Sequence, residues 1–250
     1  MHTHETAMLV AIERHSSEDM RALIANGLDP NVAIQGKSPI DWLTEMYTRS
    51  DRFPACLRVM LDYGAELKDP CLLSVLLDDG EALRSALSAN PDLIHHRTDM
   101  VSAFTPLAGA TLLHVAAEYG NLNAAEALIA AGADLNSVAA IDEAGFGGHT
   151  PIFHAVNSND NRSAPILCAL VSAGARCDVL LPGLVWGKGF EWESTFFDVT
   201  PITYAQMGLL PQMHRRESDI YANIRLMIEA SGRRMPALGN VPNRYLQPRA

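Results

Sequence analysis

Apolar residues along this chain recur at helical spacing. In residues 117–136, AEYGNLNAAEALIAAGADLN, the positions Ala124, Ala127, Leu128 and Ala131 are three or four residues apart, which gathers them on one stripe of a helix. Gly132 follows directly, placed to end that helix with a positive φ. The pattern then recurs. TLLHVAAEYGNLNAAEALIAAGADLN (111–136) aligns with TPIFHAVNSNDNRSAPILCALVSAGARCD (150–178): each opens on Thr, carries a small Ala four or five residues on, and closes on a Gly-Ala pair. Residues 38–67 and 200–232 fit the same frame, 7–31 fits it without the Thr-Pro start, and 72–94 is a degenerate sixth member.

Each copy has a physical logic. A Thr before Pro suits a helix start, because the hydroxyl can cap a free backbone N–H and Pro has none to lose at the first helical position. Each copy therefore predicts two short helices, a pair too small to bury its own apolar face, so that stacking on neighbours makes the core. An end copy must show a polar outer surface, a role that Glu13, Arg14, Glu18, Asp19 and Arg21 suit in the first copy. The Thr-Pro start, the Gly turn and the Gly-Ala ending resemble the ankyrin repeat. The resemblance implies an all-α fold, an ankyrin-repeat solenoid of about six helix–turn–helix repeats with inserted finger loops. It would occupy residues 1–232, ahead of an irregular C-terminal tail at 233–250.

Departures from a regular period mark insertions. Thr111, Thr150 and Thr200 are 39 and 50 residues apart, against an ankyrin period of about 33. With the irregular stretch 95–110, this gives three extra segments that should gather along one edge of the stack. In the ankyrin pattern, the residue before the Thr and the pair after the first helix's Ala-Ala face the concave groove. By resemblance these are Lys37, Ala110, His149 and Val199, then Glu118 with Tyr119 and Asn157 with Ser158. His114 falls on the motif's own His, expected to bond backbone between repeats, and His154 sits in an inward row beside Trp42 and Tyr204 where it must find a partner.

The segment LLPGLVWGKGFEWESTFFDV (180–199) concentrates Trp186, Lys188, Phe190, Glu191, Trp192, Glu193, Phe196, Phe197 and Asp198. WGKGFEWE predicts a hairpin with a turn at Gly187 to Gly189. Its aromatics either staple the loop as a small core of their own or form a ligand platform. The expected recognition residues are therefore Trp186, Lys188, Glu191, Trp192, Glu193 and Asp198 of the finger, with Glu118, Tyr119, His149, Asn157 and Tyr204 of the groove.

Charge and composition narrow the partners. A net charge of −10, with 19 Lys and Arg spread along the chain, argues against a nucleic-acid footprint. The start lacks a basic region and a signal-length apolar run, and no stretch reaches the roughly 20 apolar residues of a membrane span, so a cytoplasmic protein with no membrane partner is expected. Cys56, Cys71, Cys168 and Cys177 lack CxxC spacing and are expected as buried free thiols. No HxH or HxxxH occurs outside the terminal HTH, and GxSxG, P-loop and GxGxxG motifs are missing, so neither metal nor cofactor is expected. Two function classes remain. One is a binding module that recognises a protein partner through its groove and fingers, as the resemblance implies. The other is a small-molecule or carbohydrate-processing enzyme whose acid–base residues would come from Glu191, Glu193, Asp198, His149 and Tyr204.

Overall fold

The computed structural model of the chain describes residues 2–211 and 213–234. Residues 235–250, and with them nearly all of the tail expected to be irregular, lie outside the described residues.

Helices dominate and come in consecutive pairs: α1 (His2–Glu13) with α2 (Ser17–Ala25), α3 (Pro39–Glu45) with α4 (Phe53–Asp62), α5 (Leu73–Leu76) with α6 (Gly80–Ala89), and α7 (Leu112–Tyr119) with α8 (Leu122–Ala130). A four-residue 3-10 turn, Pro151–His154, stands where the next first helix is expected and is followed by α9 (Ala164–Ser172); α10 (Pro201–Met207) and α11 (Glu217–Ala230) complete the order. The fold is mostly helical rather than purely so. Two small antiparallel sheets are inserted, β1 (Arg97–Thr98) with β2 (Ala110–Thr111), and β3 (Leu181–Trp186) with β4 (Ser194–Val199).

Local chemistry sets the helix ends. Ser38 and Thr200 precede Pro at the first helical position, and their hydroxyls accept the N–H of Asp41 (3.2 Å) and Thr203 (3.1 Å). At Thr111 the His114 ring does the capping, its Nδ1 accepting the Thr111 N–H at 3.1 Å. Thr150 is the exception, its hydroxyl buried without a partner. Gly132, at φ +86°, ends α8 as the sequence pattern predicts.

The pairs stack in two layers. α6, α8, α9 and α11 pack side by side, as do α5, α7, the 151–154 turn and α10. Polar ties cross the last three steps, reaching carbonyls at the ends of the first helices, where intrahelical partners run out. Asn121 Nδ2 donates to Val75 O (2.7 Å), Ser163 Oγ to Ala117 O (2.8 Å) and Asn223 Nδ2 to Val156 O (2.9 Å). His114 Nε2 donates to His149 O at 3.1 Å, the inter-repeat role that the resemblance implies.

The three insertions meet on one edge. Ala140 N–H donates to Ala108 O, Gly147 N–H to Gly183 O and Gly187 N–H to Phe104 O, at 2.8–2.9 Å. The 181–199 segment is the hairpin its sequence predicts, with Gly187 and Gly189 at positive φ in the turn. Of the four cysteines, all free, only Cys56 and Cys177 are buried; Cys71 is half-buried and Cys168 exposed, because Cys168 lies on the outer face of α9.

Candidate functional site

The buried polar side chains converge where the first helices end. Glu118, in the last turn of α7, accepts from Ser102 Oγ (2.8 Å) and from His154 Nδ1 (2.7 Å), while Arg49 Nη2 stands 3.8 Å from its Oε1. The Glu118, His154 and Arg49 side chains are only 4%, 0% and 5% exposed. Such a network is tolerated in a dry core only because its charges oppose one another. Above it lies a cavity of about 20 Å³ lined by Glu118, Tyr119, His154, Asn157 and Trp186 together with Arg49, Arg162 and Arg215. That space suits about one water molecule rather than a substrate.

Several residues expected in an open groove are therefore inside the molecule. Glu118, Tyr119 and Asn157 are buried, as are Ala110, His149 and Val199. The cause is the insertion edge, which covers the starts of the first helices. His149 corrects the clearest expectation: it is 1% exposed, and its Nε2 donates to Pro106 O at 2.8 Å. Burial, then the neighbouring His154, lowers its pKa to about 3, so the ring is neutral. Burial also holds His114 well below the ordinary histidine value. His154 and His114 are buried and bonded as the sequence frame implies.

Tyr204 is wholly buried, with its hydroxyl 2.8 Å from Thr105 Oγ1, and desolvation raises its pKa above the ordinary phenol value. Tyr204 cannot serve as an accessible acid, and it does not meet the finger carboxylates: Glu191, Glu193 and Asp198 are exposed. Glu193 accepts the Gly189 N–H at 2.7 Å and so folds the turn, and Lys188 pairs with Asp142 at 2.9 Å.

The finger aromatics resolve into two sets. Trp186 is buried and stacks on Phe104 with centroids 5.8 Å apart, and Trp192 donates its indole N–H to Ala103 O at 3.0 Å. Phe190 stacks on Trp192 at 4.9 Å. These rings staple the hairpin to the 95–110 insertion. Phe197 points the other way and is 66% exposed, beside Phe146 (5.5 Å between centroids); Ile141, on the same loop as Phe146, is 64% exposed. Phe146, Ile141, His149 and Lys188 also line a hollow of about 210 Å³.

Arg49, Arg162 and Arg215 are the residues that sequence reasoning passes over or leaves unplaced. A signal exists: each lies in the widened turn between the two helices of its copy, where 111–136 has only a Gly-Asn step. One metal-like grouping occurs among the described residues, Asp69, Cys71 and His96, with ligand atoms within 4.8 Å of one another. His96 Nε2 and Asp69 Oδ2 are already joined at 2.8 Å. Among the described residues no helix is long and apolar enough to cross a membrane.

Comparison with known proteins adds three findings. Residues 72–180 match the family model of ankyrin repeats in three copies. The chain is 29% identical over 177 residues to YahD of Escherichia coli (strain K12), which is named as an ankyrin repeat protein; the match spans 67% of this chain and 79% of that one. Among solved structures, an ankyrin repeat domain from Acinetobacter baumannii AYE aligns at 18% identity and TM-score 0.40, covering 90% of this chain and 97% of that one. The ankyrin repeat domain of Bcl-3, titled a member of the IkappaB protein family, aligns at 17% identity and TM-score 0.38, covering 87% and 81%.

Proposed function

We propose that the chain, whose residues 72–180 match ankyrin repeats, stacks six helix pairs into one binding module whose finger edge holds a protein partner. Ankyrin repeats are generally protein–protein interaction modules, and the sequence frame supplies the count of six. The observation that carries the reading is the exposure of Phe197, beside Phe146, and of Ile141, which lines the same hollow as Phe146, on the insertion edge. Both are strongly exposed on segments that are otherwise tightly hydrogen-bonded to one another, and half-buried Phe146 lies between them. A rigid, contiguous apolar patch on a soluble surface marks a contact site, because water is released from it on docking. Asp142 and Lys188, paired at 2.9 Å, form a polar rim beside it.

The recognition surface is thus the outer face of the 180–199 hairpin and the 141–146 loop, with Phe197 in the anchoring role that the sequence pattern assigned to Trp186 and Trp192. Among the described residues, no convergence of acid–base groups around a substrate-sized hollow favours the enzymatic reading. The test compares wild type with the double variant Ile141→Asp, Phe197→Asp, using affinity capture from cell extract followed by titration of the captured protein. The variant should melt with wild type and bind at least about 30-fold more weakly, the scale of a lost hot spot of about 2 kcal/mol. Equal affinity of the two forms, or no protein retained by wild type above a blank, would defeat the reading.

A further inference from the structure

Three arginines spread far apart in the chain meet at the small cavity beside Glu118. Arg49 comes from the turn between α3 and α4, Arg162 from the turn before α9, and Arg215 from the turn between α10 and α11. They are held in place. Arg215 donates through Nε to Asn157 O (2.6 Å) and through Nη1 to Asn159 Oδ1 (3.3 Å) and Met213 O. Arg49 donates through Nη1 to Thr48 O (3.1 Å) and Met46 O. The Phe104 ring lies under both guanidinium groups, 5.5 Å from that of Arg49 and 5.8 Å from that of Arg215, and Tyr119 lies 4.4 Å from Arg49 on another side.

What these contacts leave over is informative. Arg49 Nε and Nη2 and Arg162 Nε are buried and have no hydrogen-bond partner, as is His154 Nε2 on the same wall. A buried guanidinium N–H without an acceptor keeps its desolvation cost uncompensated, so native structures seldom leave several together without a ligand that uses them. The charges are also unbalanced. Three guanidinium groups face the cavity, while the single carboxylate lining it, Glu118, is already bonded to Ser102 and His154. Asp160, whose charge also acts on Arg215, lies 3.8 Å from Arg216. The surplus positive field is felt nearby at His15, whose pKa is lowered to about 4 by burial first and then by Arg49, Arg52 and Arg162.

We propose that this crevice binds a single oxyanion, a carboxylate or phosphate group, which accepts the free N–H groups of Arg49 and Arg162 with Arg215 completing its charge. Planar guanidinium forks match both oxyanions, and donors fixed by aromatic stacking lose little freedom on binding. The inner space of about 20 Å³ takes one oxygen of such a group in place of a water. Its rim includes exposed Asn159, so the rest of a ligand would lie outside, toward solvent. No residue of the Ile141–Phe146–Phe197 patch lines this cavity, so the inference is independent of the protein-binding reading.

The test titrates the full chain with inorganic phosphate and, separately, with acetate, against chloride at equal ionic strength, by isothermal calorimetry and thermal shift. At least one oxyanion should bind saturably at one site per chain. Arg162→Gln should weaken that binding by at least about tenfold, and Arg84→Gln on the exposed face of α6 should not. Response to phosphate alone assigns a phosphoryl ligand; response to acetate as well assigns a carboxylate, such as an acidic side chain or a chain terminus. Because a variant could alter the turn, the wild type supplies a second readout, the Nε–H resonances of Arg49 and Arg162, which should move together along the titration. No saturable response to either anion, or a response that leaves both resonances and the Arg162→Gln affinity unchanged, overturns the proposal.

Discussion

Acid should destabilise this protein well above the range where its carboxylates titrate. The perturbation is a drop from about pH 7 to about pH 5. His149 has a folded pKa of about 3 and His15 of about 4, each lowered first by burial, and His114 is lowered in the same way. In the unfolded chain these rings titrate near 6.5, so below that value the unfolded state binds protons that the folded state refuses. Their stabilising neutrality is fully present above about pH 6.5 and is lost as pH falls toward the folded values. At about 1.4 kcal/mol per unit, each ring contributes a loss of roughly 2 kcal/mol by pH 5, or about 4 kcal/mol for His149 and His15 together, with His114 adding to it. That is a large part of a domain's usual 5–15 kcal/mol or so. Asp41, Asp142 and Asp178, whose pKa values lie below 3.8, act only at lower pH, and Asp78, raised by burial, works weakly in the opposite sense. Urea unfolding followed by circular dichroism at the two pH values measures the loss. In His149→Gln the loss should shrink by about 2 kcal/mol, even though the variant starts less stable. A wild-type stability equal at both pH values, or an identical loss in the variant, would refute the buried neutral histidines.

Other expectations follow from the same contacts. Trp186→Ala removes a ring stacked in the interior and should cost about 3–5 kcal/mol in urea unfolding, whereas Phe197→Ser should change stability by less than about 0.5 kcal/mol. Asn121→Ala removes the Nδ2 bond to Val75 O at the α5–α8 step, a carbonyl that the Asp78 N–H still reaches at 3.1 Å, and should cost about 0.5–1.5 kcal/mol in urea unfolding. Glu118→Ala leaves Arg49 without a buried counter-charge and His154 Nδ1 without its partner; a loss of about 3–5 kcal/mol is expected by thermal or urea unfolding.

The sequence alone determined what is local. Helix pairs are written in apolar steps of three and four, in Ser-Pro and Thr-Pro starts, and in Gly132 at a helix end, because each depends on neighbours a few residues away. The inter-repeat bond of His114 follows from the resemblance alone, because His114 falls on the ankyrin motif's own His and no other copy carries one there. The hairpin at 181–199 was legible too, but alternation names two faces without saying which is buried. Only docking against Phe104 and Ala103 decided that Trp186 turns in and Phe197 out. His149 was read as a groove residue because the repeat pattern contains no insertions; here Pro106, from a segment 43 residues earlier, covers it. The arginine crevice is the extreme case. Arg49, Arg162 and Arg215 lie in three different copies, and stacking alone brings their turns to one cavity, since a solenoid's step geometry is set by the packing of whole repeats and by no local pattern.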